Sequence, residues 1–218
     1  MKSAILLGAT GLTGGYLLKT LLNDPNYKKV KVFSRSSVGF EHEKLEEHLV
    51  DLLKLEDYKD SFNVDEVYCC IGTTKSQTPD KETYKKIDMG IPVTAAKLCR
   101  ENKIDTFLVI SELGADANSS VFYNKVKGEM QHEVLEQGIA HTYIFQPSLI
   151  AGDREEDRFF EKLAIKGMKL VNNLLVGSLK KYRSLHPKTI AKAMHICAHS
   201  GYPKILIESD EIQKLASE

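Results

Sequence analysis

The stretch "ILLGATGLTGGYLLKTLL", residues 5–22, constrains the fold more than any other. An apolar run ends at Gly8, glycines recur at Gly11 and Gly14, and an amphipathic helical pattern begins at Leu12. A strand that turns into a helix over so few residues needs one glycine for the tight turn. A second lets the backbone approach a pyrophosphate, and the helix N-terminus presents unpaired N–H groups to its charge. The G-x-x-G-x-x-G spacing differs from the commonest dinucleotide fingerprint, G-x-G-x-x-G, but uses the same physics. Thr10 and Leu12 fall inside this turn and join the glycines as candidate cofactor contacts.

Further short apolar runs alternate with longer amphipathic stretches, the pattern of a parallel sheet wrapped by helices. Strands are predicted at Ala4–Leu7, Val30–Phe33, His48–Val50, Val67–Ile71, Phe107–Ile110, Thr142–Phe145 and Ile205–Ile207. Helices are predicted at 12–22, 83–101, 122–137, 155–170, 188–199 and 209–216. The implied class is α/β, a Rossmann-type doubly wound parallel sheet. One NAD(P)-binding domain spans residues 1–218, with 151–185 as a small C-terminal substrate-covering segment. The irregular "GTTKSQTPD" lies beyond the fourth strand, where open α/β sheets bind ligands, and reads as a flap.

Thirty basic and thirty acidic side chains cancel, with no long run of one sign. That argues against a nucleic-acid footprint or a polybasic membrane patch and favours a small ligand. No signal-peptide core opens the chain and no long apolar run occurs, so a soluble, cytoplasmic protein with reduced cysteines is expected. Cys69 and Cys70 are adjacent in a strand and should point to opposite faces.

The second strand ends "VFSRSS". Ser34 and Arg35 offer a hydroxyl and a guanidinium, with no acid before Glu41, where an NAD site normally presents a carboxylate to the ribose 2′-hydroxyl. This favours NADP(H); the alternative is a solvated loop arginine. After the third strand, Asp51 is placed either to accept from the adenine amino group, with Leu52 beside the ring, or to cap the following helical turn.

In "SVFYNKVKGE", Tyr123 and Lys127 are four residues apart on a predicted helix and share a face. A second such pair, Tyr27 and Lys31, lies outside any predicted helix. Ser111 ends the fifth strand, at the same end of the sheet. Together the three suit carbonyl reduction. Ser111 would hydrogen-bond the oxygen as negative charge gathers and Tyr123 would deliver a proton, while the Lys127 ammonium would favour phenolate and hold ribose hydroxyls. The competing reading is an ordinary amphipathic helix with a packed tyrosine and a solvated lysine.

The segments "LGATGLTGGYLL", "VDLLKLEDY", "VYCCIGTTK", "SELGADANSSVFYNKVKGEM" and "QPSLIAGDREEDR" carry a resemblance over nearly the whole chain. In this order they resemble an atypical short-chain dehydrogenase/reductase. The sequence is most similar to the Tat-interacting protein oxidoreductase branch and related NAD(P)H-binding proteins. The resemblance implies NADPH binding through Gly8, Gly11 and Gly14 with Arg35 at the 2′-phosphate, and a Ser111, Tyr123, Lys127 site. It further implies that Gly72 and Thr73 line the cofactor and that Gln146, Pro147 and Ser148 lie beside the nicotinamide. The chain departs from the family pattern twice, with Glu112 where a second serine is frequent and Gln146 where many relatives have arginine.

Three function classes follow. The first is NADPH-dependent reduction of a carbonyl or related small electrophile. The second is an NADPH-binding redox sensor that signals through a protein partner. The third, nucleotide-sugar epimerisation, uses the same Ser, Tyr and Lys but is poorly served by the short stretch after Pro147. His195 and His199 form H-x-x-x-H, but Ile196 stands where a zinc protease needs glutamate, and histidines near a helix C-terminus suit its dipole. "DREEDR", 153–158, reads as a solvated first turn. Phe159, Phe160, Leu163 and Met168 form an apolar face that suits the core, a homodimer interface or a substrate mouth.

Overall fold

The computed structural model describes residues 1–151 and 177–217. Seven strands form one parallel sheet in the order β3-β2-β1-β4-β5-β6-β7. They are β1 (Lys2–Leu7), β2 (Tyr27–Ser34), β3 (Leu45–Leu49), β4 (Glu66–Cys69), β5 (Thr106–Ile110), β6 (His141–Gln146) and β7 (Leu206–Glu208). The order reverses between β1 and β4, so the carboxyl ends of those strands flank the crevice where such sheets take their ligands.

Strand residues alternate between two cores, which is why the runs read as continuously apolar. Ala4, Leu6, Val30, Val32, Leu108 and Phe145 pack on one face with α1 (Leu12–Asn23), α5 (Pro187–Ser200) and α6 (Ser209–Leu215). Ile5, Leu7, Phe33, Val67, Phe107 and Ile144 pack on the other. There they meet a 3-10 segment (Leu52–Ser61), α3 (Ile91–Glu101) and α4 (Phe122–Leu135). Cys69 belongs to the second core and Cys70 packs against the first, so their side chains do take opposite faces. All four cysteines are free.

Among the elements that differ from expectation, two have a clear physical cause. The third strand begins at Leu45 rather than His48, because "LEEHL" is an edge strand, only half buried, and shows no apolar run. The helix predicted at 83–101 begins as α2 (Lys81–Lys85), capped by Asp80 Oδ2 accepting from Thr83 N at 2.8 Å. It then widens into a π turn (Lys86–Gly90) before α3. Pro92, at the start of α3, lacks the N–H that a regular α-helix would use, and the wider turn accommodates it. The predicted helix 155–170, its apolar face and "DREEDR" lie outside the described residues, as does most of the expected cover. The ends flanking that segment are held together by Ala151 N donating to Leu185 O at 2.8 Å and Leu185 N donating to Leu149 O at 2.9 Å.

The glycine turn is enforced by contact. Gly8 adopts φ +85°, and a Cβ there would lie 2.7 Å from Cys70 O at the end of β4. A Cβ on Gly14 would lie 2.0 Å from Gly8 O, so the first turn of α1 rests on the turn itself. Gly14→Ala is therefore expected to destabilise the chain by about 1–3 kcal/mol through overpacking, read as a lower denaturation midpoint. An unchanged midpoint would contradict this packing.

Candidate active site

A cleft of about 390 Å³ opens at the switch point between the ends of β1, β4, β5 and β6. Gly11, Leu12, Gly72, Thr73, Pro147 and Ser148 line it, as do the reactive groups Ser111 and Lys127. At one side α1 begins at Gly11, which makes no side-chain cap, so the first amides of the helix remain available to an anion. The missing Cβ atoms of Gly8 and Gly14 bring this turn against the β4 end. These features fit a dinucleotide's phosphates.

On the other side, α4 presents Tyr123, Lys127 and Gln131 at successive four-residue steps. Gln131 Nε2 donates to Ser111 Oγ at 2.7 Å, and Gln146 Nε2 donates to Gln131 Oε1 at 3.2 Å. Ser111 thus accepts from behind and keeps its own proton to donate into the cleft. Gln146 acts through Gln131 and lies outside the lining. Gly128 admits α4 to this position, since a Cβ there would lie 2.1 Å from Ala117 N in the preceding loop.

Lys127 is buried and its Nζ lies 2.5 Å from Asp88 Oδ1. That oxygen makes no well-directed hydrogen bond, so the contact is an ion pair rather than a linear N–H···O bond. Asp88 Oδ2 accepts from Thr73 N at 2.8 Å. Tyr84 is also buried in the cleft wall. Burial, reinforced by Asp88 and Glu112, pushes its phenol above the ordinary range. Tyr123 packs edge-on against Tyr84 with ring centroids 4.8 Å apart and lies outside the cleft lining. Glu112 lines the cleft, and its pKa is raised chiefly by burial, with Asp88 adding and Lys127 opposing. Cys70 is in the lining too, and burial pushes its thiol well above the usual range, which disfavours the thiolate.

The remaining candidates lie along the adenosine side or in the core. Arg35 is exposed at the end of β2, while Ser34 is buried and donates to Ser36 O at 2.7 Å. Asp51 Oδ1 accepts from Leu53 N at 3.0 Å and so caps the following turn, and Leu52 is packed in the core rather than open to a ring. Sequence distance hid one acid nearby. Glu47 on β3 accepts from Ser37 Oγ at 2.9 Å and from Val38 N at 2.7 Å, which shapes the loop after Arg35. The loop 72–80 is folded on itself by Thr78 N donating to Thr74 O at 2.9 Å and by the contact of Thr73 and Thr78 hydroxyls at 2.8 Å.

The NAD dependent epimerase/dehydratase family matches residues 4–195 of the chain. The chain belongs to that family. It is 32% identical to "Protein FMP52-1, mitochondrial" of Scheffersomyces stipitis over 82% of this chain and 76% of that protein. It is 34% identical to "Protein HTATIP2" of Rattus norvegicus over 76% of this chain and 69% of that protein. The family and these relatives together support the atypical, NAD(P)-binding short-chain dehydrogenase/reductase branch that the motifs implied, enzymes of oxidoreductase or epimerase type. The fold matches that of a UDP-N-acetylglucosamine 4-epimerase from Methanobrevibacter ruminantium M1, with a TM-score of 0.69 at 17% identity, covering 98% of this chain and 80% of that one.

The expectation of a cytoplasmic location is corrected by these relatives, several of which are named as mitochondrial proteins. The sequence features behind it, no apolar signal core and no apolar span, do not separate cytoplasm from mitochondrion, because transit peptides are amphipathic rather than apolar. Among the described residues no helix is long and apolar enough to cross a membrane.

Two outcomes follow from the electrostatics. Asp88→Ala leaves the buried Lys127 ammonium uncompensated and should cost about 3–5 kcal/mol in denaturant, whereas Asp88→Ala with Lys127→Met should recover part of it. Additive losses would contradict direct coupling. For Glu112, a folded pKa above the unfolded one means that its stabilisation is complete below the unfolded value of about 4.3 and is lost as pH rises through the folded value. Glu112→Gln should therefore raise the melting temperature at neutral pH, with the gain vanishing near pH 4. A gain that persists there would contradict the assignment.

Proposed function

We propose that the chain is an NADPH-dependent reductase of a carbonyl or related small electrophile. The observation that carries this reading is the orientation of Ser111, whose hydroxyl accepts from Gln131 and so has its proton free to donate beside Lys127. The cofactor would lie with its diphosphate at Gly8, Gly11 and Gly14 and its nicotinamide end by Gly72, Thr73, Pro147 and Ser148. Thr10 and Leu12 would flank the diphosphate, with the exposed Asp51 near the adenine. When bound it supplies hydride.

Ser111 holds the substrate oxygen and stabilises its developing negative charge. Tyr123, four residues before Lys127 on the same face of α4, delivers the proton. Lys127 keeps a positive charge at that spot and offers donors to ribose hydroxyls, and Asp88 fixes its position. Glu112 is a polar wall whose negative charge disfavours anionic substrates, so neutral carbonyls are the preferred class. Arg35, exposed at the end of β2, supports a 2′-phosphate and hence NADP(H).

A second reading has specific support as well. Lys127 is engaged by Asp88, and Tyr123 lies against Tyr84 outside the cleft lining. That arrangement suits an NADPH-binding sensor acting through a protein partner. A nucleotide-sugar epimerase would use the same Ser111, Tyr123 and Lys127 and falls within the matched family, but no residue here favours it over a reductase.

Arg35→Ala should weaken NADPH binding by about 10- to 100-fold, the loss of charge-assisted hydrogen bonds to phosphate, and leave NADH unchanged. Equal weakening of both would overturn the NADP(H) assignment. With a carbonyl substrate, Ser111→Ala and Tyr123→Phe should each lower kcat by roughly 10²- to 10⁴-fold while NADPH affinity is kept. If Tyr84→Phe takes that loss and Tyr123→Phe does not, Tyr84 is the proton donor instead.

A further inference from the structure

At the opposite end of the sheet, α1 and α5 finish side by side. Asp24 follows the last turn of α1, and His195 and His199 occupy the last two turns of α5. His195 Nε2 lies 2.6 Å from Asp24 Oδ2 and His199 Nε2 lies 3.4 Å from the same oxygen. The two imidazole centroids are 4.4 Å apart. One ligand atom from each of the three residues lies within 4.8 Å of the other two. Lys2, the first residue of β1, donates to Ala198 O at 3.3 Å, which places the cluster at the amino edge of the strands, away from the cleft.

From this geometry we infer that Asp24, His195 and His199 form a site for a zinc-class divalent cation, bound by two imidazoles and one carboxylate with an open position for water. The hydrogen bonding of His199 is that of a metal ligand. Its Nδ1 lies 3.0 Å from His195 O, so that nitrogen carries the proton and donates to the carbonyl. In the neutral ring Nε2 then holds a lone pair, and this faces a carboxylate oxygen. A cation between them turns repulsion into attraction, and a backbone carbonyl on the far nitrogen is the usual outer support of a ligating histidine.

The spacing is close to that of a bound ion. Tetrahedral bonds of about 2.0–2.2 Å put ligand atoms roughly 3.3–3.6 Å apart, so the 3.4 Å contact already fits, while the 2.6 Å hydrogen bond between His195 and Asp24 must open by side-chain rotation to admit the ion. Two imidazoles select zinc, cobalt, nickel or copper over calcium and magnesium, which prefer all-oxygen shells. The carboxyl end of α5 adds its negative dipole. Beneath, the Tyr27 ring stands edge-on to His199 with centroids 5.5 Å apart and walls the site on its inner side. A bound ion would clamp the end of α5 to the α1–β2 turn, a structural staple remote from hydride chemistry.

The test uses the untagged full chain, freed of metal with a chelator and titrated with Co²⁺ while visible absorption is recorded, then with Zn²⁺ in competition. One Co²⁺ per chain should give ligand-field bands that Zn²⁺ abolishes. His199→Gln and Asp24→Asn, with unchanged circular dichroism and NADPH binding, should weaken Co²⁺ by roughly tenfold or more. Zn²⁺ should raise the wild-type melting temperature and leave His199→Gln unmoved. No bands in the wild type would mean that the cluster holds only protons, and undiminished binding in both variants would place the metal elsewhere; either result overturns the assignment.

Discussion

The buried contact between Asp88 and Lys127 joins the parts of the site that the sheet alone leaves separate. One carboxylate oxygen receives the amide of Thr73 from the loop after β4, and the other meets the ammonium carried by α4. Neither charge would be tolerated in such a place alone, because a buried ion without a partner is strongly unfavourable. The π turn makes the contact possible by swinging Asp88 inward while Lys85 and Lys86 on either side of its start stay exposed. The cleft therefore owes its polarity to a local irregularity between two regular helices.

That pair also bears on what the cleft can do. A lysine shared with a carboxylate is well positioned but partly neutralised, and Glu112 adds a further acid at the same wall. Against this stands the Gln146, Gln131, Ser111 relay, which costs two buried amides and has the effect of aiming one hydroxyl proton into the cleft. Directing a donor toward an empty point in space is what stabilisation of a developing oxyanion requires, and packing alone does not.

Much of this was legible in the sequence. The glycine turn is written in contacts that admit no Cβ, and alternating burial on two faces made the strands readable as apolar runs. Ser111 and Lys127 could be placed at one end of the sheet from the sequence because strand ends and helix spacing are local. Asp88 was missed inside "YKKIDMGIPV", which scans as one continuous helix. The four-residue step from Tyr84 to Asp88 was the same signal used for Tyr123 and Lys127, and one more step from Lys127 reaches Gln131. The Glu47 contact with the loop after Arg35 depends on the pairing of β3 with β2, which no local pattern encodes. So too with Asp24, distant in sequence from the histidines it meets. The cytoplasmic assignment failed for a different reason, since it rested on features that do not report the compartment.

The measurement that bears most directly on catalysis is transfer of label. NADPH carrying deuterium at C4, in each stereochemical form, would be incubated with the protein and a panel of neutral aldehydes and ketones, and the products weighed by mass spectrometry. Deuterium in an alcohol product with the wild type, lost in Ser111→Ala while NADPH still binds, is the expected result. Tight NADPH binding with no label in any product would contradict a reductase and leave the cleft as a sensor of the cofactor.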